Sequence, residues 1–187
     1  SGNKWFGTLD GVSEFYDSKW TTYNTSNSGL TSNYVPTITI DALGNKWFGT
    51  LNGVNKFDDS TWTTYYRSNS GLVENFVYSI TVDASGNEWF GTYDGVSKFD
   101  GTNWTTYDTS NSGLTSNHVK IVAIDASSNK WFGTFDVGVI TFDGIKWTLY
   151  DTANSGLADN QIRAIAFDAS GNIWFGTYGG GVSKFHE

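Results

Sequence analysis

An all-β, tandem-repeat fold is what this sequence predicts, and three observations carry the prediction. Trp-Phe-Gly-Thr recurs at Trp5, Trp47, Trp89, Trp131 and Trp174, with spacings of 42, 42, 42 and 43 residues. Turn chemistry cuts each period into four short apolar stretches, and no helical spacing of apolar residues occurs anywhere. A repeating antiparallel unit of about 40 residues with aromatic and glycine landmarks is the signature of a β-propeller blade, and the chain holds about 4.5 of them.

One period, residues 33–65, justifies the elements in order. Tyr34–Ile40 is apolar and β-branched and is expected to be the inner strand, A. Asp41-Ala42-Leu43-Gly44-Asn45 reads as a turn, because Gly and Asn accept positive φ and the Asp carboxylate can cap nearby amides. Strand B follows at Lys46–Leu51. Asn52-Gly53, or Asp10-Gly11 and Asp94-Gly95 in other copies, signals a tight hairpin into strand C at Val54–Asp58. Strand D is expected at Thr61–Tyr65, and residues 66–76 return the chain to the next strand A.

A four-stranded sheet with two apolar faces must stack on neighbours. Trp5 and Phe6 should therefore point to opposite faces, and Gly7 should admit an aromatic ring from the adjacent blade. All nine tryptophans occupy two positions of the repeat, the second being Trp20, Trp62, Trp104 and Trp147, so they read as packing rather than as sugar platforms. Between residues 3–44 and 87–128, 27 of 42 positions are identical, which makes the differences between copies informative.

Composition narrows the function. The 187 residues, 38% hydrophobic and 17% aromatic, suffice for one folded domain over residues 1–187, or a fragment of a larger propeller. Cysteine is absent, which removes disulfides and thiolate metal sites; no metal or other cofactor is expected. A net charge of −8 with eleven scattered Lys and Arg argues against nucleic acid as a partner. No apolar run approaches the roughly 20 residues of a membrane-spanning helix, so no membrane insertion is expected. Methionine is missing even at position 1, so the chain is expected to be processed, trimmed or excised from a longer product.

Strand counting leaves a remainder. The order is B, C, D, three complete A-to-D blades, then A, B, C, eighteen strands in all. Either five sheets form, the first without A and the last without D, or the first D strand pairs with the last C strand and residues 1–16 become a redundant hairpin. Free strand edges make homo-oligomerisation through the incomplete terminal blades a further expectation.

In a propeller the D-to-A and B-to-C connections emerge together around the mouth of the central channel. The copies disagree there. At the start of strand A they read Tyr34, Phe76, His118 and Gln161, and two residues on, Pro36, Tyr78, Lys120 and Arg163. The B-to-C turns add Asp10, Asn52, Asp94 and Asp136, and the loops differ by Glu74 and Asp159 against Ser32 and Ser116. This mixture suits a small polar ligand such as a glycan. Asp41, Asp83, Asp125 and Asp168 each offer a single carboxylate, which favours turn capping over calcium binding. The histidines, His118 and His186, belong to no recognisable nucleophile or metal motif, so no catalytic residue is assigned and no enzyme is expected.

The string from Gly29-Leu30 through Asn33, Val35, Ile38, Asp41, Gly44-Asn45, Trp47-Phe48-Gly49-Thr50 and Gly53-Val54 to Phe57 resembles the two-component regulator propeller repeat. Copies around Gly71, Gly113 and Gly156 repeat it, the last with Asn160, Asp168, Gly171 and Trp174 in register as far as Phe185. The resemblance implies a sensor region of a bacterial hybrid histidine kinase, extracytoplasmic (periplasmic or secreted), where propellers are implicated in detecting glycan fragments. A structural or protein-interaction array is the alternative. The aspartate turns also resemble the Asp-box of sialidase propellers, with the aspartate one position too far from the glycine. In blade style the chain is similar to streptogramin lyases, which carry Trp-Phe-Thr-Glu where this chain has Trp-Phe-Gly-Thr; that resemblance would make His118 a general base.

Overall fold

The structure, a computed structural model, describes residues 2–186. They form eighteen strands in five antiparallel sheets, with no helix among the described residues. The first sheet holds β1 (Lys4–Thr8), β2 (Gly11–Tyr16) and β3 (Lys19–Tyr23). The second holds β4 (Thr37–Ile40), β5 (Lys46–Thr50), β6 (Gly53–Phe57) and β7 (Trp62–Tyr65). The third runs β8 (Val77–Val82), β9 (Glu88–Thr92), β10 (Gly95–Phe99) and β11 (Trp104–Tyr107). The fourth runs β12 (Val119–Ile124), β13 (Lys130–Thr134), β14 (Val139–Phe142) and β15 (Trp147–Tyr150). The last has β16 (Ile162–Phe167), β17 (Ile173–Thr177) and β18 (Val182–Phe185). Strand β3 stays paired with β2, so the first way of sorting the eighteen strands is the one adopted.

Strand A is shorter than the sequence suggests. In three copies it starts at Val77, Val119 or Ile162 and carries a bulge one residue later, but β4 starts only at Thr37. Pro36 stands at the position of the bulged residue and has no N–H to give to the ladder.

Sheets stack through a repeated handshake. Trp5, Trp47, Trp89 and Trp131 each press into the next sheet against Phe48, Phe90, Phe132 and Phe175, with ring centroids 5.8–6.2 Å apart. Tyr23, Tyr65, Tyr107 and Tyr150 stack beside these tryptophans, closing each interface on its outer side. The valine that opens strand C and the aliphatic residues of the neighbouring strand A complete a buried cluster at each of the four interfaces. Burying an aromatic pair of this size contributes several kcal/mol per interface, on the order of 25 cal/mol per Å².

The glycine of Trp-Phe-Gly-Thr corrects one expectation. A methyl at Gly7 would meet the carbonyl oxygen and Cγ1 of Val35, one at Gly133 would lie 2.6 Å from Cγ2 of Ile162, and one at Gly49 would lie 2.5 Å from Cγ2 of Thr37 in its own sheet and 2.8 Å from Cγ1 of Val77 in the next. The close approach is therefore made by the inner strand of the next blade, an aliphatic rather than an aromatic contact. The aromatic contact falls on the loop glycines instead: Gly71 lies against Cβ of Trp104.

The aspartate turns are caps. Asp83 Oδ1 accepts from the amides of Ser85 and Asn87 at 2.9 Å, while Oδ2 accepts from Asn87 Nδ2 at 2.8 Å and from Trp89 Nε1 at 3.0 Å. Asp41, Asp125 and Asp168 do the same for Trp47, Trp131 and Trp174. Burial raises the pKa values of Asp41 and Asp83, but the donors outweigh it and hold both below the usual carboxylate range. Among the described residues, Trp5 Nε1 is the one buried side-chain polar atom without a partner. The outward faces of the terminal sheets are open, with Trp20 61% and Val182 67% exposed, whereas the equivalent Val54 and Val96 are fully buried.

Candidate functional site at the channel mouth

Antiparallel pairing fixes where the variable positions gather. The start of each strand A lies opposite the end of strand B, as in Val77↔Thr92 and Ile162↔Thr177, so the D-to-A loop and the B-to-C turn share one end of the blade. Strands β4, β8, β12 and β16 stand side by side, which brings that end of all four into one rim.

The loops of the rim are braced by residues that do not vary. Asn33, Asn75, Asn117 and Asn160 each accept, through Oδ1, the amide of a residue eight positions upstream, at 2.8–2.9 Å. The carbonyls of Asn75 and Asn117 in turn receive the amides of Gly53 and Gly95 at 2.8 Å, tying loop to turn. The amides of Phe135 and Tyr178 donate to the carbonyls of His118 and Gln161 at 3.1 and 2.9 Å. Variable side chains thus sit on a fixed frame, as a binding surface requires.

What the frame carries is a belt of alternating rings and cations. Tyr34 meets Phe76 edge-on at 6.4 Å, and Phe76 packs on Tyr78 at 4.2 Å. Lys120 Nζ lies over Tyr78 at 5.3 Å and over Phe135 at 4.7 Å. The Arg163 guanidinium lies over Phe135 at 5.9 Å and over Tyr178 at 4.6 Å. His118 stacks on Tyr93 at 4.2 Å. Tyr78, Tyr93, His118, Lys120, Phe135 and Asp136 enclose a groove of about 420 Å³. The volume fits a small ligand, and rings with hydroxyl and cationic groups offer both stacking and hydrogen bonds.

Local fields are set by burial and by neighbours. Burial raises the pKa of the Tyr78 phenol, with Tyr93 and Tyr34 adding to it, so its hydroxyl is a hydrogen-bond donor at neutral pH. Lys120 is lowered by burial and by the positive charge of Arg163.

Of the residues singled out in the sequence, Tyr34, Phe76, Tyr78, His118, Lys120, Arg163 and Asp136 come together in the belt and its groove. Gln161 stands beside it, its carbonyl fixing Tyr178. Asp94 is turned to Asn117 Nδ2 at 3.3 Å. Asp10 and Asn52 lie in their hairpin turns, their amides bonded to Thr8 Oγ1 and Thr50 Oγ1. Glu74 and Asp159 serve the loops, Glu74 through Arg67 at 3.6 Å and Asp159 through the amides of Gln161 and Gly179 at 2.8 and 3.0 Å. Tyr93, Phe135 and Tyr178 were missed. They follow the last residue of Trp-Phe-Gly-Thr, where the copies read Leu9, Leu51, Tyr93, Phe135 and Tyr178, a variation of the same kind as the one at strand A.

Known proteins fit this geometry. The family described as two component regulator propeller matches residues 71–94 and 156–179, each segment running from the D-to-A loop through strands A and B to the next turn. No curated protein matches the chain. The extracellular domain of a protein described as a hybrid two component system from B. thetaiotaomicron is similar over 98% of this chain and 26% of its own length, with 30% identity and a TM-score of 0.84. A second extracellular domain from B. thetaiotaomicron, of a system described as one component, shares 24% identity over 99% of this chain and 26% of its own, with a TM-score of 0.80. Virginiamycin B lyase from Staphylococcus aureus shares the fold, with 17% identity over 98% of this chain and 66% of its own and a TM-score of 0.72. The chain thus spans about a quarter of the length of the two extracellular domains. It carries two-component regulator propeller repeats and folds them as the blades of a β-propeller.

Proposed function

We propose that this propeller is the ligand-reading part of an extracytoplasmic sensor, and that it binds a small polar molecule, an oligosaccharide first of all, at the channel mouth without chemical conversion. The observation that carries the reading is convergence. Positions that agree between copies serve sheet packing and caps, whereas several that differ, Tyr78, Tyr93, His118, Lys120, Phe135 and Asp136, meet in one groove. Flat rings beside hydroxyls and charges suit the apolar faces and polar edges of sugars. The binding reading is favoured over the lyase reading by His118, whose ring is packed on Tyr93. A glycan array followed by calorimetry tests it: binding of at least one plant or microbial oligosaccharide, weakened by Phe135→Ala, is expected, and silence across the array refutes the carbohydrate reading.

A second reading is favoured by the open terminal faces, where Trp20 on one sheet and Val182 on the other are exposed although their counterparts pack between blades. Head-to-tail association of two copies through these faces repeats the interface already made four times within the chain. Light scattering coupled to size exclusion decides; a strict monomer at high concentration removes it.

A further inference from the structure

Resting on the reading of the mouth as a saccharide site, we propose that its ligand is an anionic sugar, one whose carboxylate or sulfate pairs with the cations at the rim, Lys120 and Arg163, while its ring lies on the neighbouring aromatics. The two cations sit at the same register of adjacent inner strands, β12 and β16, and both lean on the ring of Phe135, at 4.7 and 5.9 Å. The corresponding positions in the other two copies are Pro36 and Tyr78, neither of them charged.

Neither cation is neutralised. Among the described residues the ion pairs are Lys46 with Asp59 and Arg67 with Glu74, and neither includes Lys120 or Arg163. The acids nearest in sequence to the rim are committed elsewhere, Asp159 to the amides of Gln161 and Gly179 and Asp94 to Asn117. Asp136 lines the groove with Lys120 and forms no ion pair with it. Lys120 is also partly removed from water and feels Arg163 as a like charge. Two like charges near one ring repel each other, and an oxyanion beside them offsets that repulsion. Arg presents a planar fork that matches carboxylate or sulfate, and Lys adds a point charge, so the pair reads charge while the rings read the sugar face.

The test uses the whole chain and matched pairs of ligands: an oligogalacturonide with its methyl ester, and a sulfated oligosaccharide with its desulfated form, titrated by calorimetry at low and at physiological salt. The proposal expects one acid of a pair to bind at least about tenfold more tightly than its neutral form, with the difference shrinking as salt rises. The variants Lys120→Gln and Arg163→Gln, and the double variant, should erase that preference while circular dichroism stays native. Preference for carboxylate over sulfate, or the reverse, identifies which oxyanion is read. Equal binding of acid and neutral forms, or a preference that survives the double variant, overturns the anionic assignment and leaves the saccharide reading standing. Binding of no saccharide, charged or neutral, overturns both.

Discussion

Glu88 is a buried carboxyl at a position where three other copies carry lysine, Lys4, Lys46 and Lys130, and replacing it tests the electrostatic part of the account. It lines the groove between the second and third blades, where burial, and to a lesser degree Asp41 and Asp83, raise its pKa from 4.5 to about 7 despite Lys56. The folded protein therefore holds a proton that the unfolded chain releases near pH 4.5. The stabilisation this brings is complete below pH 4.5 and is lost as pH rises through 7. The full shift corresponds to about 3 kcal/mol at about 1.4 kcal/mol per pH unit. Discounted for solvent screening in the groove, it is about 1.5 kcal/mol. Glu88→Gln keeps the shape and the neutral form at every pH. It should match the parent below pH 4.5 and melt roughly 3–6 °C higher at pH 8, as read by calorimetric scans across pH. A constant difference at all pH values, or a variant less stable at pH 8, would refute the reasoning.

Three further outcomes are expected. Asp83→Ala removes the acceptor of the buried Trp89 indole and should cost about 2–3 kcal/mol in chemical denaturation, whereas Asp168→Ala should cost less because Trp174 is 38% exposed. Gly133→Ala drives a methyl into Ile162 and should destabilise by about 1–3 kcal/mol; with Ile162→Ala added, the loss should be smaller than the sum of the two single losses. Phe135→Ala should weaken ligand binding about tenfold and change the melting temperature little, since the ring is exposed at the rim.

The repeat made most of the fold legible before any coordinates. Period, turn residues and the Asn-Gly and Asp-Gly hairpins located every strand, because these are local signals that recur in each copy and correct one another. Strand edges were less legible. Tyr34 and Val35 look as β-prone as Phe76 and Val77, and only the structure reveals that pairing within the second sheet starts at Thr37 while the Val35 amide donates to the Thr8 carbonyl of the first sheet at 3.0 Å. The neighbour of Gly7 differs from the aromatic ring that the motif suggests, since the atoms that fill its space belong to Val35, 28 positions away and on the next blade. At the mouth, variation between copies marked the strand-A positions but not Tyr93, Phe135 and Tyr178. Lying just beyond an invariant motif, these read as the tail of strand B until the pairing set them against His118, Lys120 and Arg163. No pattern along the chain could show that Lys120 and Arg163 share one ring, because that contact depends on how neighbouring blades are rotated.

The most direct test of the central claim is a map of backbone amide shifts in the isotope-labelled protein as an oligosaccharide that binds is titrated in. The account predicts perturbations concentrated at residues 76–79, 118–120, 135–136, 161–163 and 178, with the turns at residues 41–45, 83–87 and 125–129, at the far end of the blades, unmoved. Perturbations centred on those aspartate turns, or on the open faces bearing Trp20 and Val182, would contradict it.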